Sequence, residues 1–222
     1  MNIDLTLFNE MVDKNFLEHW QRKTGGHALE DNYFEAFPIR KFNIVQILNA
    51  IYKKQNLSEE SIKKASAILS DLKLLLFFLG NAIDYFYIGA AKIVGNSNYH
   101  DVSLNTLSLL QGNHYKVYII SVTYERILDF LELVNFDRLC DYKKDKWGKK
   151  YERLSQIELF NVITPKQNEK MISFRNRIRR AEVHGFSSVF RQLNSEKWDH
   201  FQEEENLVRE LLLNISSVYN EL

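Results

Sequence analysis

The sequence predicts an all-α protein: an antiparallel four-helix bundle preceded by an N-terminal helical extension. Three observations carry that reading. Apolar residues recur at alternating steps of three and four, from Ile62 through Ala65, Leu69, Leu72, Leu76, Leu79, Ile83, Phe86 and Ala90 to Ile93. That is the period of one helix face, not of a strand. Three further segments repeat the spacing. Only two prolines and eight glycines occur in 222 residues, so little in the chain interrupts long helices.

The elements follow in order. Residues 1–57 read as the helical extension, with a loop at "RKTGGHALEDN" and a short helix from Phe42 to Tyr52. Residues 58–222 read as the bundle. Its first helix starts at Ser58, a good N-cap, with Glu59 and Glu60 in the first turn, where carboxylates meet the positive end of the helix dipole. It runs for roughly 35 residues, or roughly 50 Å, to "GNSN" at 95–98. A second long helix is predicted over 104–135, with Val117, Ile120, Tyr124, Ile127, Leu131 and Val134 on one face. The third begins at "TPKQ": Thr164 is the N-cap, Pro165 the first helical residue, and Gln167 closes a capping box. Met171, Phe174, Ile178 and Ala181 form its apolar stripe, and Gly185 is a natural stop. The last spans about 196–221, with Phe201, Val208, Leu212, Ile215 and Tyr219 inward and "EEE" at 203–205 as a solvated face. Fairly short connections favour antiparallel packing of the four.

Composition narrows the function classes. An apolar share of 45% with 13% aromatics excludes disorder. Basic and acidic residues balance at 29 each, so no global field marks a nucleic-acid or membrane binder, and any phosphate site must be local. The apolar run "LLLFFLGNAI", between Lys73 and Asp84, is half the length of a membrane span; a buried core helix explains it. The acidic start "MNIDLTLFNEMVDKNF" does not read as a leader. A single cysteine, Cys140, cannot make an internal disulfide or, by itself, a zinc site, and reads as a buried thiol in a cytoplasmic protein. The six histidines show no HxxxH or HExxH spacing. No glycine-rich phosphate loop is present, so neither a metal nor a cofactor is expected.

Two segments carry chemistry. "DYKKDKWGKKYER" at 141–153 sets six basic residues around Trp147 and Tyr151. Lys146, Lys149 and Lys150 could neutralise phosphates while Trp147 stacks on an unpaired base. The alternative is a solvated loop whose tryptophan packs on the bundle. "FRNRIRRAEVHG" at 174–185 holds Arg175, Arg177, Arg179, Arg180 and His184. At about 100° per residue, Arg177 and His184 fall within about 20° of each other on one shoulder of the apolar stripe. Arg175, Arg179 and Glu182 share the other, where Glu182 can pair with Arg179. Histidine moves protons near neutral pH, and arginine binds phosphate through two N–H groups. The set suits acid–base cleavage of a phosphodiester with an RNA 2′-hydroxyl as nucleophile. The plain alternative is a basic helix face whose histidine caps the helix end.

An Arg-x(4–6)-His motif near the end of the third helix of such a bundle resembles the HEPN superfamily. "RRAEVH" supplies Arg179-x4-His184 and "RIRRAEVH" supplies Arg177-x6-His184. The resemblance covers roughly residues 59–222. It implies a metal-independent endoribonuclease, often a toxin or defence effector with an antitoxin or regulatory protein as partner, or else an inactive module that dimerises and binds RNA, nucleotide or protein. It further implies a homodimer in which two motif helices form one cleft. In many active members a polar residue, often Asn, follows the arginine. Here the Arg–Asn pair is Arg175–Asn176, with eight residues between that arginine and His184. Helical phase favours Arg177 and the shorter spacing favours Arg179, so both stay as catalytic candidates with His184. Arg175, Asn176 and Glu182 stand as supporting groups.

Overall fold

The computed structural model describes residues 4–23, 39–54, 57–95, 99–137, 147–157, 161–184 and 201–220. All regular structure among them is helical: α1 (Leu5–Lys23), a 3₁₀ turn (Ile39–Lys41), α2 (Ile44–Lys54), α3 (Glu59–Gly95), α4 (Tyr99–Phe136), α5 (Trp147–Leu154), α6 (Pro165–His184) and α7 (Gln202–Asn220). The all-α expectation holds. Among the described residues no helix is long and apolar enough to cross a membrane.

Local chemistry explains most helix starts. Asp4 accepts from the Thr6 and Leu7 amides at 3.0 and 3.1 Å. Asn43 does the same for Val45 and Gln46 at 3.0 and 3.2 Å. Ser58 takes the Ser61 amide at 3.2 Å, and α3 begins at Glu59 as predicted. At α6 the Gln167 amide donates to Thr164 Oγ1 at 3.3 Å and the Thr164 amide to Gln167 Oε1 at 2.8 Å. That is the predicted box, two orphan donors satisfied reciprocally. Helix α7 starts differently. Phe201 sits at φ 69°, in the left-handed region, and its carbonyl accepts from Glu205 at 2.9 Å. A bulky residue there costs about 1–2 kcal/mol, offset by edge-to-face packing of its ring on Phe174 at 5.3 Å.

Several boundaries differ from expectation. Helix α4 starts at Tyr99 rather than 104; no proline or glycine breaks 99–104, so the ladder extends. Helix α7 starts at Gln202 rather than about 196, after the left-handed residue at 201. Helix α5 was not expected at all. It forms because Trp147, Lys150 and Leu154 share one buried face. The loop expected at 22–32 lies mostly outside the described residues, as does Cys140. Glu204 and Glu205 are buried, which corrects the solvated reading of "EEE"; the first turn of a helix is where carboxylates are best tolerated.

The chain divides into two compact units. Unit 1 comprises residues 1–77, 125–162 and 209–222. Its buried residues include Ile39, Phe42, Ile47, Ile51, Leu69, Leu72, Ile127, Phe130, Leu131, Leu211 and Ile215, with Phe130 and Tyr219 edge-to-face at 5.6 Å. The N-terminal residues, expected as an extension, belong to this unit; Ser216 donates to the Lys41 carbonyl. Unit 2 comprises residues 78–124 and 163–208. It buries Leu79, Ile119, Ile120, Tyr124, Met171, Phe174 and Val208, and the Tyr124 hydroxyl donates to Asn168 Oδ1 at 2.9 Å.

Candidate functional site

Helix α6 carries the arginine–histidine segment in unit 2. Its first turn is held by the Thr164–Gln167 box. Its second and third turns are anchored by buried Met171 and Phe174 and by an ion pair from Lys170 to Glu203. Arg175 and Asn176 are exposed. The helix continues unbroken through Arg177, Arg179 and Glu182 to His184, which puts all three motif residues on one helix at the predicted register. The side chains from 177 onward lie outside the described set.

The second segment is sorted differently. Lys146 lies outside the described residues, and Lys149 is exposed. Trp147 and Lys150 are buried, Lys150 completely. The Lys150 ammonium donates to Asp129 Oδ1 at 2.5 Å and lies 3.9 Å from Glu125. One turn on, Arg153 donates through Nε to Glu132 Oε1 at 2.6 Å, and Glu132 too is buried. Arg126 approaches the other Asp129 oxygen at 3.5 Å and Asp71 at 3.5 Å. The expected RNA-facing platform of Lys146, Trp147, Lys149 and Lys150 is therefore corrected for two members. A buried tryptophan offers no face for stacking, and a buried ammonium spends its charge on Asp129.

Sequence reasoning missed the acidic side of this network. A signal was present. Asp129 and Glu132 are three residues apart on α4, and Lys150 and Arg153 are three residues apart on α5, so two helix faces carry opposite charges at matching spacing. It also missed Lys73. This lysine is fully buried. It donates to the carbonyls of Ile39 at 2.9 Å and Phe42 at 3.0 Å, and pairs with Asp13 at 2.9 Å. Burial pulls its pKa below the usual lysine value, and Asp13 only partly opposes that. The sign of its position was a lone lysine between Leu72 and Leu74. Tyr219 is a further perturbed group: burial pushes its hydroxyl up to about 12, against a hydrogen bond with Asn135 that lowers it.

Among the described residues, no group of three or more His, Cys, Asp or Glu side chains could hold a metal ion. Compared with protein-family models, curated proteins and solved structures, the chain matches none.

Proposed function

We propose that the chain is a HEPN-like, metal-independent endoribonuclease, cytoplasmic and homodimeric, in which α3, α4, α6 and α7 form an antiparallel four-helix bundle. One observation carries the reading: α6 runs without a break from Pro165 to His184. Arg177 and His184 thus stand about two turns apart at nearly one phase, and Arg179 stands about half a turn nearer to His184. In this reading His184 takes the proton from an RNA 2′-hydroxyl. The 2′-oxygen bonds to phosphorus and the 5′-oxygen leaves with a proton. Arg177 or Arg179 stabilises the charge that develops on the phosphate oxygens. A second copy supplies the second histidine, so that acid and base are separate groups. The resemblance assigns such a protein to toxin or defence roles, with a protein antitoxin as partner.

A second reading, an inactive module that dimerises and binds RNA, nucleotide or protein, draws support from the burial of Trp147 and Lys150, which removes half of the expected RNA platform. Incubation with single-stranded RNA in EDTA separates the two. The nuclease leaves 2′,3′-cyclic phosphate ends, spares DNA, and slows at least about 100-fold in His184→Ala. RNA left intact by the wild-type protein, with or without magnesium, overturns the nuclease reading and leaves the module.

A further inference from the structure

Helix α6 carries more charge in one row than the arginine–histidine motif accounts for. The chain balances 29 basic residues against 29 acidic ones, yet α6 holds six lysines and arginines against two acids, Glu169 and Glu182. At about 100° per residue, Lys166, Lys170, Ser173, Arg177, Arg180 and His184 all fall within about 40° of one line along the helix. Met171 and Phe174, which are buried, sit at about 140° and 80° from that line. Glu182 lies about 160° away, and Glu169 flanks the row at about 60°. Like charges three or four residues apart weaken a helix, so the folding of α6 does not ask for this row.

The N-terminal half of the row is open to solvent. Lys166 and Ser173 are exposed. The Lys170 ammonium already holds an anionic oxygen, that of Glu203 on α7. The side chains of that pair are 38% and 78% exposed, and an ion pair so open to water holds weakly. A phosphate oxygen offers Lys170 the same charge and the same kind of acceptor. From Lys166 to His184 the row runs about 27 Å, at about 1.5 Å per residue.

We propose that this row is a track for the phosphate backbone of single-stranded RNA, in which Lys166 and Lys170 neutralise phosphates and Ser173 donates a hydrogen bond to the strand. The track leads the strand to the Arg177–His184 end of α6. One straight row of cations matches the single line of phosphates on one strand. The inference rests on the RNA-directed reading of α6 given above, but not on cleavage. Glu203 is the competitor that phosphate displaces from Lys170.

Fluorescence anisotropy with a labelled single-stranded RNA tests this, in EDTA and on a His184→Ala background that keeps the RNA intact. Lys166→Gln/Lys170→Gln lowers the slope of log affinity against log salt by about 1.4, at about 0.7 per phosphate contact. It weakens binding at least about tenfold at about 0.1 M salt. Glu203→Gln releases Lys170 and tightens binding about two- to fivefold. Lys14→Gln/Lys53→Gln removes two exposed lysines of unit 1 and leaves the slope as it was. Equal losses in the two double variants overturn the track, as does RNA that stays unbound at about 0.05 M salt. Polyglutamate that displaces the RNA at equal concentration of charge assigns the row to an acidic protein and overturns the RNA track. Cleavage is read separately with the wild-type His184. RNA bound through the row but left uncut refutes the nuclease reading and keeps the track. RNA cut with an unchanged KM by Lys166→Gln/Lys170→Gln refutes the track and keeps the nuclease.

Discussion

Replacing Lys150 with Gln separates a structural lysine from an RNA-binding one. Lys150 is 0% exposed and its partner Asp129 3% exposed, with 2.5 Å between Nζ and Oδ1. Removing the ammonium leaves a carboxylate buried beside a neutral amide. Breaking one side of a buried pair costs about 3–5 kcal/mol. Arg126, 3.5 Å from the second Asp129 oxygen, retains part of the compensation, which places the expected loss near the lower end, at about 3 kcal/mol. For a chain of this size each ~1 kcal/mol moves Tm by about 2–4 °C, so a fall of roughly 6–12 °C is expected. Lys149→Gln is the control: its side chain is exposed, and its effect stays within about 0.5 kcal/mol. Urea and thermal unfolding, followed by far-ultraviolet circular dichroism, measure both variants. If RNA is bound, a flatter salt dependence should accompany Lys149→Gln. A Lys150→Gln protein as stable as wild type to within about 0.5 kcal/mol, with weaker RNA binding, refutes the buried pair and restores Lys150 to the surface.

Two further outcomes follow from the same packing. Phe174 is fully buried and its ring meets Phe201 edge-on, so Phe174→Ala should cost about 3–5 kcal/mol and loosen the helix that carries Arg177 and His184; a loss below about 1 kcal/mol by urea unfolding contradicts that anchoring. Tyr219 titrates at about 12 in the native protein against about 10 when unfolded. The folded state thus holds this proton more tightly, and the associated stability is complete below about pH 10 and lost as pH rises to about 12. The loss amounts to about 2–3 kcal/mol. Tyr219→Phe should be free of that component, and wild-type and variant stability curves that run parallel from pH 9 to 12 would count against the buried hydroxyl.

Much of the candidate site was legible because its signals are local. The box at Thr164 and Gln167 spans three residues, and the period through Met171 and Phe174 spans one turn. The bounds of α6 and the register of Arg177, Arg179 and His184 follow from them. The start of α3 at Glu59 was legible for the same reason, since Ser58 and Ser61 settle it within one turn. Helix α5 was not. Eight residues with Gly148 among them form a weak helix by propensity, and its place depends on Asp129 and Glu132.

By itself the sequence determined the helical class, the apolar faces of the long helices, and the spacing of the arginines and histidine on α6. These depend on neighbours within about four residues, and a 3.6-residue period reports them directly. Tertiary structure decided which charges are inside. Lys149 and Lys150 are adjacent in a basic run, yet one is exposed and the other fully buried, because the buried one meets a carboxylate from 21 residues away. Lys73 meets carbonyls 34 and 31 residues away, and its counter-charge comes from α1. A charge enters a core only where distant chain segments bring its partners, and no local pattern of residues records that meeting.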